Sequence, residues 1–136
     1  MSESQRAGRY PLGEGDRARI KTPTGRPLAE LTLEALRAGQ VGAGDLGIHA
    51  DTLGEQAAIA EEAGFPQLAA NLRRAAELTR IPNDTVLAVY EALRPYRVTY
   101  ERLLALADEL ETRYDAIENA ALIREAAQAY RESGLI

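Results

Sequence analysis

Apolar residues recur at intervals of three and four along most of the chain, and this spacing predicts a succession of amphipathic helices. Three of these helices occupy the central stretch from Thr52 to Tyr96. Gly64, Pro66, Pro82 and Pro95 separate and end them, because glycine stops a helix and proline begins or breaks one. The faces predicted to be buried are Leu53, Gln56, Ala57 and Ala60, then Leu68, Leu72, Ala75, Ala76 and Thr79, then Val86, Val89, Tyr90 and Leu93.

Two longer helices are predicted after this stretch, and a short one from Leu31 to Ala38 precedes it. Thr99 is predicted to cap a helix that ends at Tyr114, and Asp115 with Glu118 resembles a second capped start. The predicted buried faces are Tyr100, Leu103, Ala107, Leu110 and Tyr114, then Ile117, Ala120, Ile123, Ala127 and Tyr130. The other predicted caps are Thr32, Thr52 paired with Glu55, and Asn83 or Asp84.

The predicted fold class is all-α, a small helical bundle with an irregular extended N-terminal arm. No segment alternates with a period of two as a strand would, and the many alanines favour close packing of helix on helix. The predicted domains are an arm over residues 1–30 and a helical domain over residues 31–136.

The predicted arm is rich in glycine and proline, which are too closely spaced there for a helix or a central strand. Two interpretations are open: a flexible tail, or an extended arm that orders when it docks on another protein. In the second interpretation Tyr10, Pro11, Leu12 and Ile20 contact the host, with Tyr10, Leu12 and Ile20 inserted into pockets. A turn over Thr22-Pro23-Thr24-Gly25, with proline at its second position and glycine at its fourth, is also predicted, and Lys21, Thr22, Pro23 and Gly25 belong to the same candidate interface.

Charge and composition exclude several function classes. The 136 residues include 16 basic and 21 acidic ones, a net charge of −5, which argues against nucleic-acid binding. With no cysteine, the chain forms no disulfide, thiolate nucleophile or cysteine metal site. No apolar run approaches the roughly 20 residues that span a bilayer. Because residues 1–9 lack the apolar core of a signal peptide, we expect a cytosolic setting.

Catalytic motifs are weak throughout the sequence. Gly42, Gly44 and Gly47 match a dinucleotide-binding spacing, but no buried strand precedes them, so chance is the preferred interpretation. Lys21 and Thr22 resemble the end of a phosphate-binding loop, but Ile20 stands where glycine is required. The only histidine, His49, precedes a predicted helix, where a capping or surface role is favoured. We therefore predict no catalytic, cofactor-binding or metal-binding residue on this chain.

Clustered arginines and a tyrosine offer a second candidate interface. Arg73, and the string Arg94, Tyr96 and Arg97, carry the residue types enriched in interface cores. The alternative is that these arginines complement the dipoles of helix C-termini, and both interpretations stay open.

Several uncommon strings in the same order resemble one family. They are Tyr10-Pro-Leu-Gly13, Ile20-Lys-Thr-Pro-Thr-Gly25, Asn71-x-Arg-Arg-Ala-Ala-Glu-Leu78, Tyr90-x-Ala-Leu-Arg-Pro-Tyr-Arg97, Leu103-Leu-x-Leu-Ala-Asp-Glu-Leu110 and Ile123-Arg-Glu-Ala-Ala127. Together they resemble the small (gamma) subunit of adenosylcobalamin-dependent propanediol dehydratase and glycerol dehydratase, over about residues 10–132.

The resemblance implies a noncatalytic subunit in a heterohexamer of two large, two medium and two small subunits. The large subunit of that family carries a (β/α)8 barrel that holds the diol and a metal ion, and adenosylcobalamin lies between the large and medium subunits. The resemblance also implies that the small subunit packs on the large one. A peptide directing the enzyme into a bacterial microcompartment is not evident, because the N-terminal extension is short. The alternative function is a free-standing helical interaction or regulatory module.

Overall fold

A computed structural model describes residues 10–136 of the protein, so the first nine residues of the predicted arm lie outside the described residues. The helices are α1 (Leu12–Gly15), α2 (Leu33–Arg37), α3 (Ala50–Glu62), α4 (Pro66–Leu78), α5 (Asn83–Ala92), α6 (Tyr100–Tyr114) and α7 (Ile117–Glu132). Three single turns of 3-10 helix cover Arg17–Arg19, Leu28–Glu30 and Ala43–Asp45. Residues 10–136 contain no strand, only an isolated antiparallel bridge between Lys21 and Pro27, which confirms the all-α prediction.

The chain divides into two compact units after Thr79. The N-terminal unit, described from Tyr10, includes α1 to α4, and the C-terminal unit, Arg80–Ile136, includes α5 to α7. The division that the sequence suggested after residue 30 falls inside the N-terminal unit.

In the N-terminal unit, α3 and α4 pack on each other through small side chains. Ala57, Ala60 and Ala69 form a buried cluster, with Leu72 packed against it. Gly64 joins the two helices at a φ of 83°, a conformation that glycine adopts without strain, and Pro66 begins α4.

The predicted buried face of α4 is confirmed at Leu72, which packs against this cluster, but it was wrong at its two ends. Leu68 is 49% exposed and Thr79 is exposed, while Ala69 and Glu77 are buried. The reason is the size of the side chains, because a helix turned to place alanine at the contact lets α3 approach more closely than leucine would.

The start of α3 also differs from the prediction, which had Thr52 as its cap. The helix begins at Ala50, and the Nδ1 atom of His49 accepts a hydrogen bond of 3.1 Å from the Asp51 N–H. The capping role favoured for His49 is therefore confirmed. Threonine is among the preferred N-cap residues, which is why the sequence pattern pointed to Thr52 as the cap of α3.

In the C-terminal unit, α6 and α7 form an antiparallel hairpin around a core of leucine, isoleucine and alanine. The residues buried there are Leu103, Leu106, Ala107, Leu110, Ala116, Ala120, Ile123 and Ala127. The predicted cap Thr99 is confirmed, since its side chain accepts from the Arg102 N–H at 3.3 Å. Ile117 and Tyr90, predicted to be buried, are 57% and 60% exposed because each lies beside its helix's buried stripe.

Two other predicted caps in this unit were wrong. Asp115 ends α6 in a left-handed conformation at a φ of 54° instead of starting α7. The Ala116 N–H reaches back to the Leu110 carbonyl at 3.1 Å, which closes the end of α6 and leaves Asp115 outside α7. Pro82 occupies the position before α5, so Asn83 and Asp84 fall inside that helix.

Candidate subunit interface

The described part of the predicted arm folds onto its own unit. The side chain of Leu12 is only 6% exposed and that of Thr22 only 3%, whereas Tyr10 is 65% exposed. Ile20 is half-buried, and Pro11, Lys21, Pro23 and Gly25 are exposed. The fully extended form that the sequence suggested is therefore corrected for residues 10–30, because their backbone makes α1, two 3-10 turns and a bridge within the chain.

The predicted turn after Lys21 is present and closed by hydrogen bonds. The Gly25 N–H donates to the Thr22 carbonyl at 2.9 Å, and the Thr22 N–H donates to the Arg26 carbonyl at 2.9 Å. The buried Thr22 hydroxyl accepts from the Arg26 N–H at 3.0 Å. Gly25 has a φ of 87°, which explains the glycine at this point of the turn.

A buried carboxylate ties this turn to the loop before α3. The Asp45 carboxylate accepts one hydrogen bond from the Thr24 hydroxyl and another from the Gly42 N–H at 2.9 Å. The Arg26 Nε lies 3.7 Å from the same carboxylate, and the Arg26 Nη2 donates to the Gln40 carbonyl at 2.8 Å. The Gly42 amide, the Thr24 hydroxyl and the Arg26 charge hold the pKa of Asp45 below its usual range.

This Asp45 cluster, made of Thr22, Thr24, Arg26, Gly42 and Asp45, was not predicted from the sequence. The glycine spacing from Gly42 to Gly47 instead serves a turn that presents the Gly42 amide to Asp45. The cluster gives residues 20–30 a fixed conformation on the surface of the N-terminal unit.

A groove of about 540 Å³ runs between this segment and the first turns of α3. Apolar groups of Leu12, Ile20 and Ala58 line it together with charged groups of Asp16, Arg19, Lys21, Asp51 and Glu55. Arg19 and Glu55 form an ion pair of 3.4 Å across the groove. His49 also lines the groove, but its Nδ1 atom is engaged in capping α3.

Arg73 has an internal partner. It lies in the middle of α4 and pairs with Glu61 of α3, so it links the two helices of the N-terminal unit. A position in the middle of the helix does not fit the alternative that Arg73 complements a helix C-terminus.

The string from Arg94 to Arg97 forms an exposed turn after α5. Arg94 and Arg97 both pair with Glu91, at 3.1 and 3.4 Å. Tyr96 is 74% exposed and has a φ of 63°, unusual for a bulky side chain. The structure thus brings Arg94, Tyr96 and Arg97 together on one surface, with Arg73 in the other unit.

Further large apolar side chains are exposed that the sequence had not assigned to an interface. They are Leu33, Leu36, Leu46, Ile48, Phe65, Leu68, Leu87, Tyr90, Ile117 and Leu122. Among them, Leu33 with Leu36 and Leu87 with Tyr90 are spaced by three on their helices, so each pair lies on one helix face. That spacing was visible in the sequence, but it is the same spacing that marks a core face.

Residues 10–136 contain no group of three or more histidine, cysteine, aspartate or glutamate side chains placed to hold a metal ion. Of the helices described, none has the length and apolar character needed to cross a membrane.

Comparisons with known proteins match nearly the whole chain. A family model described as dehydratase small subunit matches residues 5–136. The propanediol dehydratase small subunit of Salmonella typhimurium is 48% identical over 131 residues, which cover 96% of this chain and 76% of that protein. The propanediol dehydratase small subunit of Citrobacter freundii is 48% identical over 123 residues, covering 90% and 72%.

Proposed function

The chain belongs to the family of dehydratase small subunits, and from this membership we propose that it is the noncatalytic small subunit of an adenosylcobalamin-dependent diol or glycerol dehydratase. The observation that carries the proposal is the family match over residues 5–136, supported by two relatives at 48% identity. The reaction of the whole enzyme converts a 1,2-diol or glycerol to an aldehyde and water.

The proposed partners are a large and a medium dehydratase subunit, in a complex of two copies of each of the three chains. The proposed location is the cytoplasm. Enclosure in a bacterial microcompartment is the alternative location, which cell fractionation would reveal. The substrate preference between glycerol and propanediol belongs to a pocket on another chain.

Adenosylcobalamin, when bound by the partner subunits, supplies the radical that starts the dehydration. On this chain the one imidazole, His49, has its Nδ1 atom engaged in the α3 cap, and it lines an open groove of mixed apolar and charged groups. We therefore assign the cofactor to the larger subunits and assign no residue of this chain to it. The role of this chain is to bind and stabilise the large subunit.

The exposed members of the candidate interface support such a role. Tyr10 and Ile20 border a segment that the Asp45 cluster holds in place, so docking there needs little further ordering of the chain. The side chains of Leu12 and Thr22 are buried within the N-terminal unit, so their role is to hold the local backbone in place. The neighbouring residues exposed on that backbone are Pro11, Lys21, Pro23 and Gly25.

The test is co-expression of this chain with tagged large and medium subunits, followed by purification and an aldehyde assay with 1,2-propanediol and adenosylcobalamin. We expect all three chains to purify together and the isolated small chain to be inactive. A larger-subunit complex that is fully active and never retains this chain would contradict the proposal and favour a free-standing interaction module.

A further inference from the structure

The turn that carries Tyr96 is held in an unfavourable conformation. A left-handed φ of 63° places the Cβ atom of a tyrosine close to its own backbone, and non-glycine residues rarely adopt it. The ring gains no burial in return, since the residue is 74% exposed in the chain. Residues held in such sparsely populated backbone conformations cluster at functional sites.

The C-terminal end of the chain keeps the turn in this conformation. The Tyr96 N–H donates to the Leu135 carbonyl at 2.8 Å, beyond the end of α7. On the other side of the turn, the Tyr130 hydroxyl donates to the Leu93 carbonyl at 2.8 Å. Two hydrogen bonds, one to the segment after α7 and one from α7 itself, therefore hold both ends of the turn.

The surface beside Tyr96 is positively charged, although the chain as a whole has a net charge of −5. Arg97 and Arg102 line a groove together with Glu91, Ala88, Ala92, Val98 and Leu106. Arg94 and Arg97 share the single carboxylate of Glu91, and no side chain among residues 10–136 pairs with the Arg102 guanidinium. Two arginines thus share Glu91, the Arg102 guanidinium lacks a carboxylate partner among residues 10–136, and small and branched apolar side chains line the groove between them.

We propose that this Tyr96 surface, made of Tyr96, Arg97 and Arg102, docks a carboxylate-bearing segment of a larger dehydratase subunit. The inference rests on the proposed function and names the place and chemistry of the contact. A carboxylate from the partner pairs with Arg102 and with Arg97, which otherwise shares Glu91 with Arg94. The Tyr96 ring packs against apolar groups of the partner next to that carboxylate. Guanidinium and tyrosine groups are the types that dominate binding energy at such contacts.

Because the turn is already fixed before docking, less conformational entropy is lost when the partner binds. This lower cost of binding explains why a strained conformation is kept at Tyr96. Leu135 and Tyr130 are positioning residues, because they act on the partner through the turn. Removing Leu135 and Ile136 should speed hydrogen exchange at the Tyr96 amide and weaken assembly, while α6 and α7 remain protected. Unchanged exchange at the Tyr96 amide would overturn this positioning role.

The direct test uses the complete enzyme complex with Tyr96→p-benzoylphenylalanine, a photoreactive substitution, in the small chain. We expect irradiation to link position 96 to a larger subunit, in a peptide that contains aspartate or glutamate. No cross-link, or a cross-link only to a second copy of this chain, in a complex that still purifies intact would overturn the inference and leave the proposed function standing. A wild-type chain that fails to join the complex would overturn the proposed function itself.

Dissociation constants of single variants distinguish the contribution of the Tyr96 ring from that of the Arg102 charge. Tyr96→Gly keeps the turn but removes the ring, and we expect it to raise the dissociation constant of the small chain about 30-fold, whereas Tyr96→Phe changes it little. Arg102→Glu should weaken binding at least as strongly, because it places like charges together. The matched control is Arg113→Glu, an exposed arginine further along α6. Equal weakening by Arg113→Glu, or none by Arg102→Glu, would overturn the inference.

Discussion

At Asp45 a single carboxylate joins the turn at Thr22–Gly25 to the loop that precedes α3. Its partners are an amide of the loop before α3, a hydroxyl of the turn at Thr22–Gly25, and a guanidinium. All three favour the ionised form, so the free energy of this cluster depends on the charge of Asp45.

Acidification should therefore loosen the N-terminal segment. The pKa of Asp45 is lower in the folded chain than its usual value of about 3.9, so the cluster is fully stabilising above about pH 3.9 and loses that contribution as the pH falls through the folded-state pKa. Urea unfolding of the wild type and of Asp45→Asn from pH 7 to pH 2.5 should show a stability difference that shrinks below pH 4. A difference that stays constant over this range would contradict the assignment.

Strain at Tyr96 leads to a second prediction at the scale of one residue. The left-handed conformation costs tyrosine about 1–2 kcal/mol, whereas glycine adopts it freely and costs about 0.5–1 kcal/mol in unfolded-chain entropy. Tyr96→Gly should therefore leave the isolated chain as stable as the wild type or stabilise it by up to about 1.5 kcal/mol. A loss of more than about 1 kcal/mol in thermal unfolding would mean that the ring packs in the core.

Among the elements, the helix hairpin of α6 and α7 depends on small side chains at its contact. Ala107 and Ala120 are fully buried. A leucine at such a position forces the helices apart or into strained rotamers, which costs about 1–3 kcal/mol. We expect this loss of unfolding free energy for Ala107→Leu in chemical denaturation. The matched control Ala105→Leu, on the exposed side of α6, should stay within about 0.5 kcal/mol of the wild type.

The junction between α6 and α7 offers a prediction that separates two interpretations of Asp115. As the left-handed residue after α6, Asp115 is better replaced by glycine, and Asp115→Gly should stabilise the chain by up to about 1.5 kcal/mol, the left-handed penalty less the entropy cost of glycine. The sequence had suggested a capping role at the start of α7, for which the same change would be neutral or destabilising. The melting temperature of Asp115→Gly therefore decides between the two roles.

Helix existence was predictable from the sequence, but helix ends and rotations were less so. The breaks at Gly64, Pro66 and Pro82 and the cap at Thr99 follow from local chemistry, and the structure has them. The rotation of α4 and the role of His49 depend on which side chains let neighbouring segments approach, and the local pattern of apolar residues does not reveal that. Asp115 illustrates the ambiguity directly, because aspartate suits both helix starts and left-handed turns.

For the molecule as a whole, the sequence predicted the fold class and the family, and the comparisons confirm that family. Only part of the candidate interface could be predicted from the sequence. Tyr96 stood out in the sequence by its neighbours Arg94 and Arg97, but its left-handed backbone and its hydrogen bond to Leu135 depend on how the distant C-terminal end of the chain folds back. The Asp45 cluster was hidden because its members are separated by up to 23 residues in sequence.

The exposed aromatic side chains of both units fit a chain that larger subunits cover. Tyr10 and Phe65 are 65% and 61% exposed, and Tyr90 and Tyr96 are 60% and 74% exposed. Interfaces favour aromatic residues, which contribute large apolar areas at a low cost in conformational entropy.

Hydroxyl-radical footprinting of the small chain, alone and in the purified three-subunit complex, measures this covering directly. Oxidation of Tyr96 and Tyr10 should fall several-fold on assembly, with the half-buried Tyr114 as the internal reference. Equal oxidation of Tyr10, Phe65, Tyr90 and Tyr96 in the free chain and in the intact complex would contradict a subunit whose exposed surface is covered by its partners.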